Sequence, residues 1–319
     1  MTAFHFETEQ KVFDIGGVKI GGQPGAHPTV MVGSMFHKGD RLITSRKEAA
    51  FDKAGAIAYL RRLEKVSAET GLPAILDVVG NTVTELDAYL DFLAQKTTIP
   101  LCIDAWQADV RVETAKVARK MGILDRLVYN SLNPWNADLQ KEVQEIAGIG
   151  VKHVIVAVFD EADKLASGRV KSLDSLLPTI EQGNFSSILV DTTVMNVAAM
   201  AFSLQAGYEI KRKYGLPVGC APANGTYMWK EIRELKSPGM FAGADASAHG
   251  IASLLWNDFL FYGPLSGTER TFAATAVADS IKSLCAFSET GSLPAVPAHP
   301  LRRLFPDFVQ QLEQPQQNQ

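Results

Sequence analysis

The chain has 319 residues, 46% of them hydrophobic, and its 31 basic and 35 acidic residues give a formal net charge of −4. This balance leaves no strong positive field for binding nucleic acid or an anionic membrane surface. The cysteines, Cys102, Cys220 and Cys285, form no CxxC pair, so we expect free thiols in a reducing cytoplasm. Neither a signal peptide nor an apolar run long enough to cross a membrane is predicted.

A short hairpin is predicted first along the chain. Two β-prone runs between Lys11 and Gly25 flank the pair Gly16-Gly17, which suits a tight turn. We assign residues 1–28 to this N-terminal hairpin segment, which could plug the lower end of a barrel.

Eight short apolar runs follow the hairpin. They are rich in Val, Ile and Leu and mostly do not alternate with polar residues, as expected of parallel strands that are buried on both faces. The runs begin at Thr29, Pro73, Pro100, Arg126, Lys152, Ser186, Gly215 and Asn257.

Stretches with helical spacing lie between these runs. They begin at Phe51, Thr82, Val112, Asp138, Met195, Gly225 and Gly267. The alternation over residues 29–288 predicts an α/β fold, a (β/α)8 TIM barrel that forms one domain over residues 1–319. Residues 289–319 are a Pro-rich and then Gln-rich C-terminal extension, whose end we expect to be disordered. A dinucleotide-binding fold is disfavoured because no GxGxxG follows the first run.

Polar side chains occur at or near the ends of several apolar runs. The carboxyl ends of the strands of a parallel barrel share one face, where active sites lie, so these side chains would form a ring. The candidates are Asp77, Asp104, Asn130, Asp160, Asp191 and Asn224. Asp160 is equally well explained as the N-cap of a following helix, and Asp77 as a mid-strand residue paired with a neighbour. The other four favour a binding role, because each ends an otherwise apolar run.

The composition of the ring restricts the kind of ligand. The six histidines show no metal-type spacing, no GxSxG elbow is present, and the Gly243–Gly250 segment is only a weak candidate for a phosphate loop. Cys102 and Cys220 lie within strands and are interpreted as core thiols. Carboxylates and amides suit a neutral heterocycle rich in hydrogen-bond donors and acceptors. A pterin fits, and the ring alone leaves a purine or a sugar open.

Several segments resemble one known family. The run from Lys11 to Phe36, KVFDIGGVKIGGQPGAHPTVMVGSMF, is similar to the H subunit of tetrahydromethanopterin S-methyltransferase, as are LCIDAW, LDRLVYNSLN and NDFLFYGP. The similarity runs in order from Lys11 to about Ser283. The chain also resembles bacterial relatives that move methyl groups between a corrinoid protein and tetrahydrofolate. Departures occur around APANGTYMW and in the loop after Asp160.

The resemblance implies roles for individual residues. Pterin-binding methyltransferases hold the pterin with side chains on strands three, four, six and seven, and those positions match Asp104, Asn130, Asp191 and Asn224. The strand-seven Asn contacts N5, the nitrogen that carries the methyl group, so Asn224 would stabilise N5 as charge develops there. Asp191 would anchor the pyrimidine, and these two are the expected catalytic residues. Asp77 and Asp160 are weaker members of the site, and no metal ligand is expected.

The predicted function is methyl transfer between a methyl-cob(III)alamin on a corrinoid protein and N5 of tetrahydrofolate, giving methyltetrahydrofolate and cob(I)alamin in an anaerobic demethylation pathway. Cobalamin would arrive on a partner protein and not be held tightly by this chain, and relatives suggest a homodimer. Two alternatives stay open: a subunit specific for tetrahydromethanopterin, and a non-catalytic barrel that binds a corrinoid partner. Dihydropteroate synthase chemistry is disfavoured because no pyrophosphate-binding Lys or Arg lies between Gly215 and Asn224, and a barrel hydrolase because metal ligands are missing.

Overall fold

A closed barrel of eight parallel strands forms the centre of the residues that the computed structural model describes, 3–234 and 237–314. In chain order, an antiparallel hairpin of β1 (Val12–Ile15) and β2 (Val18–Gly21) precedes the first barrel strand, β3 (Val30–Met35). A second small hairpin follows, of β4 (Ile43–Ser45) and β5 (Ala50–Phe51). The other barrel strands are β6 (Ala74–Val79), β7 (Leu101–Asp104), β8 (Leu127–Leu132), β9 (His153–Ala157), β10 (Ser187–Asp191), β11 (Val218–Cys220) and β12 (Phe259–Pro264).

Helices surround the barrel, and the predicted (β/α)8 fold is confirmed. Those that follow the first five barrel strands are α1 (Lys53–Thr70), α2 (Val83–Lys96), α3 (Ala108–Lys120), α4 (Leu139–Ile149) and α5 (Ala166–Glu181). Those that come later are α6 (Met200–Tyr214), α7 (Pro222–Met228), α8 (Lys230–Glu234), α9 (Pro238–Leu254), α10 (Thr268–Thr290), α11 (Pro300–Leu304) and α12 (Pro306–Glu313).

Capping interactions fix the ends of α1 and α2. Thr82 accepts a hydrogen bond from the backbone N–H of Glu85 at 3.2 Å, and the Glu85 carboxylate accepts one from the N–H of Asn81 at 2.8 Å. The helix α1 ends at Gly71, whose φ of 79° is the left-handed conformation that glycine adopts without steric cost.

Two apolar cores hold the barrel together. One lies between the strands and the surrounding helices. The other fills the barrel interior with alternate residues of the strands, such as Ile75, Val128 and Leu189. Ile15 and Ile20 of the hairpin are fully buried in this interior core. The predicted hairpin is therefore present, and it plugs the lower end of the barrel.

The C-terminal extension packs on the barrel's side near α1 and α10. The side chain of His299 is fully buried, and its Nε2 lies 3.2 Å from Ser283 Oγ on α10. Arg303 Nε donates to the carbonyl of Glu69 at 3.1 Å. The predicted disorder at the end of the extension falls on residues 315–319, which lie outside the described part of the chain. No helix in that part is both long and apolar enough to span a bilayer.

Three helical segments differ from the sequence-based expectations. The helices α5 and α9 were not predicted, and the Gly243–Gly250 segment, considered as a weak phosphate-loop candidate, lies inside α9. The ionisable residues of α9 are Asp245 and His249, and both are buried, so its sequence shows no polar face. The helix expected to start at Gly225 instead starts at Pro222 and breaks at Trp229.

Candidate functional site

A layer of polar side chains lies inside the barrel, one step above the interior apolar core. Ile75, Cys102, Val128 and Leu189 belong to that core. Residues two positions further along a strand point to the same face. The next interior-facing residues toward the carboxyl ends of these strands are therefore Asp77, Asp104, Asn130 and Asp191. We call these four side chains the polar layer.

Strand register places members of the polar layer side by side. Asp104 of β7 pairs directly with Asn130 of β8. Asp77 of β6 pairs with Ser34 of β3, and Ser34 Oγ donates a hydrogen bond to Asp77 Oδ2 at 2.9 Å. The charges of Asp104 and Asp77 act on each other, as do those of Asp104 and Asp191, so the barrel mouth brings the three carboxyl groups together.

Burial dominates the acidity of the layer. It raises the pKa of Asp77 well above the ordinary value, and the neighbouring charge of Asp104 raises it further, while Ser34, Cys102 and Asn130 act in the opposite direction through hydrogen bonds. Asp77 Oδ1 is buried and has no hydrogen-bond partner of good geometry. Burial and the nearby charge of Asp104 thus both favour the neutral form of Asp77.

Asp104 and Asp191 have intermediate acidity. Burial raises the pKa of Asp104 to about 6, against the lowering effect of the Arg111 charge. Burial likewise raises the pKa of Asp191 to about 6, against a hydrogen bond from the Thr193 N–H and the charge of Arg169. Both carboxyl groups are therefore mostly ionised at pH 7 and can exchange a proton close to neutrality.

Two buried arginines fix the loops that follow these aspartates. Arg111 donates from NH1 to the carbonyls of Ala105 and Trp106 at 2.8 and 2.9 Å, and from NH2 to Glu142 at 2.7 Å. Arg169 donates to the carbonyls of Thr192 and Thr193 at 2.7 and 3.0 Å and reaches the loop after β9 as well. These contacts make the barrel mouth rigid where the polar layer opens onto it.

The two remaining candidates lie outside the strands. Asn224 is in α7, the short helix after β11, and its side chain is exposed. Asp160 comes three residues after the end of β9 and does not cap α5, which begins at Ala166. Instead, Asp160 Oδ1 accepts a hydrogen bond from the N–H of Ala162 at 2.8 Å within the loop. Asp160 thus stabilises its own loop. The exposed Asn224 side chain makes no comparable hydrogen bond within the described part of the chain.

Sequence reasoning missed several residues that shape the site. The signal for Ser34 is its position as a polar residue within the apolar run that begins at Thr29. Arg111 and Arg169 gave no signal, because an arginine in an amphipathic helix normally faces solvent. Among the residues that the structure describes, no group of His, Cys, Asp and Glu is arranged to hold a metal ion.

Aromatic side chains extend from the mouth over β7, β8 and β9. The rings of Trp106 and Trp135 stack with centroids 6.4 Å apart, and Trp135 lies 6.4 Å from Phe159. Trp106 is 84% exposed, which is unusual for an indole. Both tryptophans line a cavity of about 320 Å³ beside Asn133 and Arg111. The loops that follow β7 and β8 therefore offer exposed aromatic surface at the barrel mouth.

Comparison with known proteins identifies the family. Residues 8–291 match the sequence model of the family described as tetrahydromethanopterin S-methyltransferase MtrH subunit. The chain belongs to this family. The H subunit of tetrahydromethanopterin S-methyltransferase from Methanothermobacter marburgensis is 33% identical over 94% of this chain and 99% of its own length. The corresponding subunit of Methanopyrus kandleri is 30% identical over 92% of this chain and 96% of its own length.

Solved structures with a similar fold include dihydropteroate synthases. The Yersinia pestis enzyme in a sulfonamide drug complex matches with a TM-score of 0.59 at 14% identity, over 86% of this chain and 100% of that one. The Xanthomonas albilineans enzyme matches with a TM-score of 0.57 at 17% identity, over 87% and 100%. At this identity the likeness shows the barrel fold alone. Methyltransferase chemistry is supported by the family itself.

Proposed function

We propose that this chain is the methyltransferase component that moves a methyl group between a corrinoid on a partner protein and N5 of a tetrahydropterin. The observation that carries the proposal is the polar layer, in which Asp104, Asn130 and Asp191 come from three strands of a barrel that belongs to the MtrH family. Membership in that family distinguishes a pterin from the purine or sugar that the polar side chains alone would also accept.

The polar layer matches the hydrogen-bonding groups of a pterin ring. An ionised carboxylate accepts two hydrogen bonds, so Asp104 and Asp191 suit the amino group and ring N–H of the pyrimidine half. The Asn130 amide both donates and accepts, which suits the adjacent carbonyl or ring nitrogen. Hydrogen bonds from the ligand would then replace those from water that the two carboxylates lose on burial. Ligand binding would therefore stabilise their ionised forms.

The pterin is best assigned as tetrahydromethanopterin. The two archaeal relatives, at 30–33% identity, are named for that pterin, which favours it over the tetrahydrofolate expected from bacterial relatives. The polar layer contacts only the ring that both pterins share, so discrimination would have to come from residues that meet the tail.

Direct transfer of the methyl group needs the nucleophile and the leaving group in line on opposite sides of the methyl carbon, and no covalent link to this chain. The corrinoid supplies or receives the methyl group when its carrier protein is bound. Holding N5 in line contributes through orientation. N5 loses a proton when it gains the methyl group, and Asn224 stabilises N5 as its charge changes. Because Asp191 has a pKa of about 6, it can exchange that proton through water near neutral pH.

The surface around the mouth suits a protein that carries a corrinoid. Large apolar side chains are exposed on the loops and short helices that follow the barrel strands: Trp106, Trp135, Leu165, Met195, Met228 and Trp229. Exposed apolar groups concentrated around a site mark a protein-binding surface more often than scattered ones do. A corrinoid carrier docked there would bring its ring over the polar layer.

The outer face of α9 and α10 suits a second copy of this chain. From Met240 to Leu255 and from Thr271 to Ser288 no charged side chain is exposed, while Ile251, Val277 and Ile281 are. The helix α9 has 17 residues, so the two helices present a strip of about 25 Å by 20 Å. That is comparable in scale with the ~800 Å² per partner of a stable interface. A second copy of the same face would bury no charged side chain against this one. We therefore assign the expected homodimer to this surface.

The experiment that tests the function uses the whole chain with methylcobalamin and either tetrahydromethanopterin or tetrahydrofolate. We expect pterin-dependent loss of the methylcobalamin spectrum, faster with tetrahydromethanopterin. Asn224→Ala should keep pterin affinity and lower turnover by about tenfold or more, whereas Asp104→Asn should weaken pterin binding. The control is Gln144→Ala, which removes an exposed side-chain amide on α4, outside the polar layer. No spectral change with either pterin would favour the non-catalytic alternative, and unchanged turnover of Asn224→Ala would remove its role.

A further inference from the structure

The short helix α7 is tied to its neighbours by a buried hydrogen-bond network. Asp245 on α9 is fully buried, and its Oδ1 accepts a hydrogen bond from Thr226 Oγ1 on α7 at 2.6 Å. Thr226 is itself fully buried. A buried carboxylate persists only when it is paired and hydrogen-bonded, so this contact is an essential part of how α7 packs on α9.

Arg270 of α10 completes the network. Its Nε donates to Asp245 Oδ2 at 2.6 Å, and its NH2 donates to the hydroxyl of Tyr227 on α7 at 3.0 Å. The guanidinium also lies over the ring of Phe241, 5.4 Å from the centroid, and that ring contacts Tyr227 edge-on. Two consecutive residues of α7 are thereby held from both neighbouring helices.

The helix α7 needs such external anchoring. It has seven residues, too few to be stable on its own, and it is separated from α8 by the extended Trp229. Asn224 is exposed on this helix and lies half a turn before the two anchored residues. The location of Asn224, four residues after the carboxyl end of β11, is therefore set by how firmly Thr226 and Tyr227 are held.

The anchoring of α7 differs in kind from that of the other loops at the mouth. Arg111 and Arg169 hold those loops through backbone carbonyl groups, which no substitution removes. In α7 the acceptor and donor groups belong to side chains. The anchor can therefore be weakened by removing one hydroxyl group, without changing the arginine.

We propose that Thr226, Asp245 and Arg270 are positioning residues that set the location of Asn224 for the methyl-transfer step. This inference rests on the proposed function, in which Asn224 acts at N5 of the pterin. None of the three touches the pterin in this scheme, since the polar layer binds the ring. Loosening α7 should therefore lower turnover and leave pterin affinity nearly unchanged.

The test compares Thr226→Val with a matched control at the other end of the barrel. Thr29 is also buried and donates from Oγ1 to a buried aspartate, Asp279 of α10, at 2.7 Å. Thr29→Val removes the same kind of hydrogen bond. Because Thr29 Oγ1 also accepts a hydrogen bond from Lys282 Nζ at 3.0 Å, this variant should lose at least as much thermal stability as Thr226→Val. Only Thr226→Val should lower kcat, by about tenfold. Displacing the Asn224 side chain by even about 1 Å can reduce the rate by that factor or more. Thr226→Ser should restore most of it.

A double-mutant cycle connects the anchor to Asn224. In an Asn224→Ala background, Thr226→Val should change kcat by less than about twofold, because the group that it positions is gone. An equal loss in both backgrounds, or a loss shared by Thr29→Val, would overturn the inference while the proposed function stands. If Asn224→Ala alone leaves kcat unchanged, the proposed role of Asn224 fails and the inference fails with it.

Discussion

Asp104 and Asp191 are poised so that a small change in pH alters their charge. Burial holds both pKa values at about 6, two units above that of an exposed aspartate. At pH 7 each is mainly an acceptor of hydrogen bonds, and at pH 5 mainly a neutral acid. A ligand that donates hydrogen bonds to the ionised forms must therefore bind less tightly as the pH falls.

We expect pterin affinity to follow this titration. Between pH 7.5 and pH 5.5 the dissociation constant should rise about fourfold if one carboxylate with a pKa near 6 must be ionised, and about sixteenfold if both must be. Titration calorimetry in buffers of equal ionic strength measures this. Asp191→Asn should bind more weakly at pH 7.5 and show a flatter profile. A profile that is as steep in the variant as in the parent would contradict the assignment of Asp191.

The same raised pKa values affect the stability of the protein without ligand. A carboxyl group whose pKa is higher in the folded than in the unfolded chain contributes most below pH 4, and that contribution is lost as the pH rises through 6. Asp191→Asn cannot ionise, so the variant avoids this loss of stability at high pH. We expect it to raise Tm by about 1–3 °C at pH 8 and not at pH 4, as measured by calorimetry. A gain at both pH values would mean that packing, not charge, is responsible.

At the scale of elements, the rim of the barrel is built from loops that are held by buried arginines. Arg111 on α3 pairs with Glu142 on α4, and both side chains are about 2% exposed. Tyr129 also donates its hydroxyl to Glu142. This cluster joins α3 and α4 to the loop after Asp104. Its loss should therefore lower the free energy of unfolding and displace the loop beside the polar layer.

Arg111→Met should destabilise the protein by about 3 kcal/mol, because it leaves Glu142 buried without its cation. Urea unfolding measures the change. Replacing Arg111 by methionine and Glu142 by glutamine together should recover much of that loss, since no charge is then buried alone and the glutamine oxygen can still accept from the Tyr129 hydroxyl. The control is Lys152→Met, which breaks an exposed pair with Asp125 and should have no measurable effect. Equal destabilisation by the two single variants would contradict this reading.

At the scale of the whole molecule, the barrel was predictable and its packing details were not. Eight apolar runs specify eight parallel strands, and Asp77, Asp104, Asn130 and Asp191 stand out because polar residues are costly in such strands. The helix α9 was missed because a helix whose outer face is covered by apolar and small residues lacks polar periodicity. The network around Asp245 and Arg270 joins residues distant in sequence, and nothing in their local patterns links them.

The uncharged face of α9 and α10 leads to a prediction about assembly. Ile281→Arg places a charge at the centre of the proposed interface and should convert the dimer to a monomer at micromolar concentration. Light scattering coupled to size-exclusion chromatography gives the mass. Gln144→Arg, an equally drastic change on the exposed face of α4, should leave the dimer intact. A dimer that survives Ile281→Arg would place the interface elsewhere.

The hairpin that plugs the lower end of the barrel has a consequence for the order of events. With Ile15 and Ile20 filling the bottom, the pterin can enter and leave only through the mouth over which the corrinoid carrier would dock. The docked carrier would then close this route. The pterin must therefore bind before the carrier docks and leave after the carrier dissociates. Steady-state kinetics should show a compulsory order, with excess carrier trapping the product and slowing its release.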